Sequence, residues 1–307
     1  MDFVFELTEE GGGRKHTFSF NSARRHDLSI AVAPLSAPLA QVSAFGLPPS
    51  RAAPFSAGDF VASVDAGGSV NCAVLSSLCP HSNGTHTECA GHALPGAVTL
   101  AHVAPLLSML PALVLSVAPA PLGEDGAREY APGRASDAVV SGALLEAAFE
   151  RLAVARAAAA GGGGGADSAR RLLRCFLRRG ALVVRTLPNS PAKRSAQYGG
   201  SNPPYFTGCA MRWALERGCE HVVMDLPSAD REDDRGQLIA HRTWWGLPPA
   251  GDAGADAAAP LCSRTITEIA FVDDSVEDGG YVLDLQVAPF DMDAAPSRPL
   301  LYVLNER

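Results

Sequence analysis

Apolar and polar residues alternate at the start of the chain. Phe3 to Leu7 and Thr17 to Phe20 step between the two classes as short strands do, with Gly11-Gly12-Gly13 as the turn between them. Asp27-Leu-Ser-Ile-Ala-Val predicts a further strand, and residues 33–58, rich in Pro, Ala and Ser, read as loop. Between Val139 and Ala159, residues Leu144, Leu145, Ala148, Leu152 and Ala155 recur near the helical period, which predicts a helix ended by Gly161 to Gly165. Ser168 to Arg179 predicts a short basic amphipathic helix. Leu172, Leu173, Phe176 and Leu177 share its apolar face, and its arginines form a solvated one. Ala181-Leu-Val-Val-Arg and His221-Val-Val-Met-Asp are short apolar runs of the buried-strand kind. Phe206 to Arg217 reads as a helix stopped by Gly218. Strand-like runs at Thr265 to Val272, Tyr281 to Val287 and Leu300 to Leu304 close the chain. Strands outnumber helices, and helices fall between some of them, so the expected class is α/β or α+β.

Composition narrows the picture. A chain of 307 residues with 47% hydrophobic content can bury a core as one large domain or two small ones. The net charge is −8 and no basic run exceeds an Arg pair, which argues against a nucleic-acid partner. The start Met1-Asp2-Phe3 lacks the basic segment of a signal peptide. The apolar stretch Val103 to Pro121 contains Pro105, Pro111, Pro119 and Pro121, so no membrane span is expected there. Seven cysteines without metal-type pairing fit a reduced, cytoplasmic protein.

Chemistry concentrates in His81-Ser-Asn-Gly-Thr-His86-Thr-Glu88-Cys-Ala-Gly-His92. Three of the eight histidines and a carboxylate lie within twelve residues. His86 and Glu88 are two apart, so on a strand they share a face. Gly84 can turn the chain so that His81 returns to the same point. Imidazole and carboxylate donors with little thiolate nearby suit an open site for Zn²⁺, Mn²⁺ or Fe²⁺. Three unrelated histidines in a polar loop would be the plainer explanation, but so dense a cluster favours the metal. His241, downstream of the acidic turn after Asp225, can supply a remote ligand.

The segment resembles the cyclase family of bacterial kynurenine formamidases, isatin hydrolases and dienelactone-type hydrolases. In that family the motif reads His-x-Gly-Thr-His-x-Asp-x-Pro-x-His. Similar pieces recur from about residue 27 to 304: Asp27-Leu-Ser-Ile, Leu182-Val-Val-Arg-Thr186, Val223-Met-Asp225-Leu-Pro-Ser228-Ala-Asp230, His241 and Thr265-Ile-Thr-Glu268. The chain departs from the pattern in three places. One extra residue separates His81 from His86, Glu88 replaces Asp, and Ala90-Gly91 stands where x-Pro-x belongs.

The resemblance implies a swivelling β/β/α domain, a mixed sheet with flanking helices, over residues 27–307. Residues 1–26 would be a strand extension, with flexible inserts near 160–168 and 247–262. It makes His81, His86, Glu88, His241 and Glu268 ligands of one or two divalent ions, zinc or manganese, with Glu88 able to bridge a pair. His92 takes the catalytic place, and Asp225, Ser228 and Asp230 support the ligands, although turn and cap roles also account for those three. The implied reaction is hydrolysis of a small, often aromatic amide such as an arylformamide or a cyclic amide, in a homodimer or homotetramer. Lactone hydrolysis and an inactive metal-binding scaffold are the rival readings. Phe55, Tyr205, Phe206, Trp244 and Trp245 are candidates for either pocket or core.

Overall fold

The computed structural model describes residues 2–94, 98–103, 107–123, 126, 132–160, 165–251 and 263–306. Nine strands make up the main sheet. In chain order they are β1 (Asp2–Thr8), β2 (Lys15–Asp27), β3 (His86–Glu88), β4 (Leu110–Val117), β5 (Ala181–Thr186), β6 (His221–Met224), β7 (Thr265–Glu268), β8 (Gly279–Val287) and β9 (Ala294–Glu306). Their order is β1-β2-β9-β8-β4-β5-β6-β7-β3, and β3 pairs with β9 as well as with β7. That extra pairing closes seven strands into a barrel-like ring, from which β1 and β2 continue along β9. Strands β4 to β7 run parallel and the other pairings in the sheet are antiparallel, so the fold is mixed α/β.

Among the described residues, α-helices run over α1 (Pro80–Asn83), α2 (Gly142–Ala159), α3 (Gly165–Leu177), α4 (Gly208–Glu216) and α5 (Ile239–Trp245). The two-residue period of the strands divides the core. Leu113, Leu115, Leu182, Val184, Val222, Met224 and Ile266 pack with Phe149, Leu173, Phe176, Trp213 and Trp244 beneath the helices. The alternate residues Ala112, Val114, Ala181, Val183, Val223, Leu283 and Leu301 fill the ring interior with Leu28, Leu100 and Leu107. Each fully buried aliphatic or aromatic side chain of this kind contributes roughly 1.5–3 kcal/mol.

Several boundaries differ from the sequence expectation, each for a local reason. The second strand runs on to Asp27, and Leu28 to Ile30 leave the main sheet to pair with other loops. Leu28 O accepts from Phe271 N (2.7 Å), and Ile30 O accepts from Thr85 N (2.9 Å). The strand expected at Thr265 to Val272 stops at Glu268, because Ile269 adopts a left-handed backbone (φ 54°). Ser141 and Thr207 cap α2 and α4 through their hydroxyls, so Ala138–Val140 and Tyr205–Phe206 are short strands before the helices. Strand β4 was not foreseen in the proline-containing stretch; Pro111 lies second in it. Leu172, Leu173, Phe176 and Leu177 are buried on α3, as the periodicity predicts. That helix begins at Gly165, and residues 161–164 of the expected glycine insert lie outside the described residues, as do 252–262 of the second insert. Among the described residues no helix is long and apolar enough to cross a membrane.

Candidate metal centre

The site lies where β3 meets β7. Their antiparallel register sets Glu268 opposite His86 and Ile266 opposite Glu88. His86, Glu88, Ile266 and Glu268 therefore share a face, and Ile266 belongs to the helix-side core, so the three polar side chains point out of the ring toward α5. On the opposite face Thr87 and Thr267 share a hydroxyl contact of 2.7 Å.

Gly84 and Thr85 fix the approach to β3. A Cβ at Gly84 would sit 2.8 Å from Ile30 O, so only glycine fits without movement. The Thr85 hydroxyl accepts from Ile30 N (2.7 Å) and donates to Ile269 O (2.5 Å), which ties the motif to two loops. Before this turn, the single turn of α1 carries His81 back to the cluster, with Nδ1 3.3 Å from Glu88 Oε2. After β3, a 3-10 turn over Ala90–His92 returns His92, whose Nδ1 lies 3.8 Å from the same oxygen.

Helix α5 delivers His241 from the other side. Asp230 holds it firmly: Oδ1 accepts from Ala240 N (2.8 Å), and Oδ2 accepts from His241 N (3.0 Å) and from His241 Nδ1 (2.6 Å). The opposite ring nitrogen, Nε2, is 2.8 Å from Glu88 Oε1 and 3.5 Å from Glu268 Oε1. Glu268 Oε2 lies 3.3 Å from His86 Nε2, while Glu268 Oε1 accepts from Ala229 N at 2.7 Å. His86 Nδ1 is 3.1 Å from Gly84 O, so it carries the proton and Nε2 presents its lone pair inward.

The structure thus brings His81, His86, Glu88, His92, His241 and Glu268 into one cluster. Asp230 touches it through His241. Ser228 is one step further out, its hydroxyl accepting from Asp230 N (3.1 Å). Asp225 is engaged elsewhere, accepting from Thr186 N, from the Thr186 hydroxyl (2.8 Å) and from Lys193 Nζ (2.7 Å). Sequence reasoning did not find Asp293, just ahead of β9, whose Oδ2 lies 3.0 Å from His81 Nε2 and 3.3 Å from His92 Nδ1. Of the aromatic candidates, Trp245 borders the site, its ring 5.5 Å from that of His241. Tyr205, Phe206, Trp244 and Trp245 itself are fully buried, and Phe55 is exposed.

The electrostatics call for positive charge. Glu88 and Glu268 are buried, and among the described residues neither pairs with Lys or Arg. Burial opposes ionisation of Glu88, but the His92 and His241 charges hold its carboxyl well below the usual range. For His81, burial is outweighed by Asp293 and Glu88, and its imidazole is pushed up to about 10. His241 is likewise raised, against its burial, by Glu88 and Asp230. Four of the seven buried side-chain atoms without a hydrogen-bond partner among the described residues belong to this cluster: His86 Nε2, both Glu88 carboxylate oxygens and His241 Nε2. Unsatisfied buried polar atoms are costly, and here they converge. Three groups, His81, His86 and Glu88, then Glu88, His92 and His241, and then His81, His92 and Asp293, each place ligand atoms within 4.8 Å of one another. These imidazole and carboxylate donors fit a divalent ion.

A family model described as "Putative cyclase" matches residues 26–231, about two thirds of the chain. The chain belongs to the cyclase family. The match takes in His81, His86, Glu88 and His92; His241 and Glu268 lie beyond it and join the cluster through the fold. No curated protein matches the sequence significantly. Solved structures show the same fold at low identity. Isatin hydrolase A from Ralstonia solanacearum is similar at 16% identity and a TM-score of 0.55, over 91% of this cyclase-family chain and 92% of that one. Isatin hydrolase A from Labrenzia aggregata, bound to benzyl benzoate, matches at 15% and 0.53, over 91% and 93%. A predicted metal-dependent hydrolase from Bacillus stearothermophilus matches at 12% and 0.51, over 91% and 98%.

Proposed function

We propose that this protein is a metal-dependent hydrolase acting on a non-peptide C–N bond of a small molecule, an arylformamide or a cyclic amide. The observation that carries the reading is the convergence of His86 Nε2, both Glu88 oxygens and His241 Nε2, buried and without hydrogen bonds. His81, His86, Glu88, His241 and Glu268 would hold one or two ions, and the absence of thiolate from this donor set favours zinc or manganese. When bound, such an ion supplies Lewis acidity and lowers the pKa of a water from 15.7 to about 7. The protein's part is to hold the ligands in place and to move protons. His92, less buried than His86 or His241, lies beside Glu88, where it can take a proton from the attacking water and return it to the leaving nitrogen.

The similarity to isatin hydrolases supports a ring amide, and the same apparatus would open a lactone. A swivelling β/β/α domain, assembly as a homodimer or homotetramer and a cytoplasmic location complete the proposal. The test is a screen of N-formylkynurenine, isatin and simple lactones with zinc- or manganese-loaded protein, with and without chelator. Hydrolysis that the chelator abolishes, and that falls about 10²–10⁴-fold in His92→Ala, supports the reading. Chelator-resistant turnover would sink it.

A further inference from the structure

We propose that Asp293 is a positioning residue that fixes which ring nitrogen His81 and His92 each turn toward the site. The proposal rests on the reading of the cluster as a metal centre, and it takes Asp293, which could also ligate an ion with His81 and His92, as the hydrogen-bond partner of those two rings. One oxygen, Asp293 Oδ2, serves both rings, at 3.0 Å from His81 Nε2 and 3.3 Å from His92 Nδ1. An ionised carboxylate only accepts, so a neutral imidazole must donate N–H to it, and the other ring nitrogen then bears the lone pair.

For His81 the consequence is a lone pair on Nδ1, the atom 3.3 Å from Glu88 Oε2 and therefore the one facing the other ligands. For His92 it is a lone pair on Nε2, which leaves that nitrogen basic. The two rings lie 4.4 Å apart at 37°, so one acceptor reaches both. Asp293 is itself anchored. Its carbonyl accepts from Cys89 N (3.0 Å), and the next residue, Ala294, pairs with Glu88. The carboxylate is thus built into the same strand pairing that presents Glu88. A carboxylate behind a metal-bound histidine is a recurrent device for fixing tautomer and ring orientation, and removing it costs about 10–100-fold in metal affinity.

The test uses full-length, zinc-loaded protein carrying ¹⁵N-labelled histidine rings, with tautomers read from long-range ¹H–¹⁵N correlations. Wild type should show His92 as the Nδ1–H form and His81 protonated on Nε2. In Asp293→Ala, His92 should move toward the Nε2–H form that free imidazoles favour, and zinc affinity should fall about 10–100-fold. Asp293→Asn keeps an acceptor oxygen and should restore the His92 tautomer. The Asp293 side chain is partly exposed, so both variants should fold; urea unfolding of the metal-free proteins checks this. An unchanged His92 tautomer in Asp293→Ala, or unchanged zinc affinity, overturns the proposal. If wild type itself takes up no zinc, the metal reading fails instead. The His92 tautomer, read in metal-free protein at alkaline pH, then still decides the role of Asp293.

Discussion

Replacing Asp230 by alanine separates two carboxylates that lie five residues apart in one segment. Asp230 accepts two backbone N–H groups at the start of α5, from Ala240 (2.8 Å) and His241 (3.0 Å), and the His241 ring N–H (2.6 Å). Ala240 and His241 are buried, so the change strands two backbone donors at roughly 1–3 kcal/mol each, offset in part because no charge is buried any longer. A net loss of roughly 2–4 kcal/mol follows, measurable by urea unfolding of the metal-free protein. The His241 ring also loses the acceptor that aims Nε2 at Glu88, so zinc affinity should fall about 10–100-fold, or about 1.4–2.7 kcal/mol. Competition with a chromophoric chelator measures it. Asp225→Ala is the control. It breaks the contacts to Thr186 and Lys193 and should destabilise the fold, yet leave zinc affinity within a factor of about two, since those contacts share no partner with the cluster. The reasoning is refuted if Asp230→Ala binds zinc like wild type, or if Asp225→Ala loses zinc as Asp230→Ala does.

Burial, aided by the Arg264 charge, pulls His221 down to about 4 from 6.5. The unfolded chain then takes up this proton first, so stability is lost as pH falls from about 6.5 to about 4, by roughly 3 kcal/mol in all. Urea unfolding should show His221→Asn losing less than wild type over that range, and parallel curves would refute the assignment. Gly84→Ala drives a Cβ to within 2.8 Å of Ile30 O and should cost about 1–3 kcal/mol while loosening His81 and His86; wild-type stability would show that the loop gives way freely. Glu88→Asp withdraws the carboxylate from His241 Nε2, now 2.8 Å away, and should weaken metal binding; equal or tighter binding would show that the longer side chain is not needed for reach.

The core of the site was legible because its spacing is local. His86 and Glu88 share a face through the two-residue period of a strand, and the structure keeps them on one. The return of His81 across Gly84 was also readable, although α1 does part of the work. Asp293 left almost no trace. It is one acid in Phe290-Asp-Met-Asp293, and its place beside His81 and His92 comes from the pairing of Ala294 with Glu88, a contact spanning about two hundred residues. Asp225, Ser228 and Asp230 look alike in sequence, and only their partners separate them: Thr186 and Lys193 for Asp225, Asp230 N for Ser228, and the start of α5 with the His241 ring for Asp230. Strand β4 was hidden because Pro111 sits within its apolar run, and Ile269 ended β7 early through a backbone conformation that no residue pattern announces.

The most direct test of the metal centre is the metal content of the purified protein, by inductively coupled plasma mass spectrometry after dialysis and zinc or manganese reconstitution. Wild type should retain about one or two divalent ions per chain, as its donor inventory allows. Glu268→Ala and His86→Ala should lose them while keeping a folded circular-dichroism spectrum. Folded wild-type protein that retains neither zinc nor manganese, or variants that hold as much metal as wild type, would contradict the account.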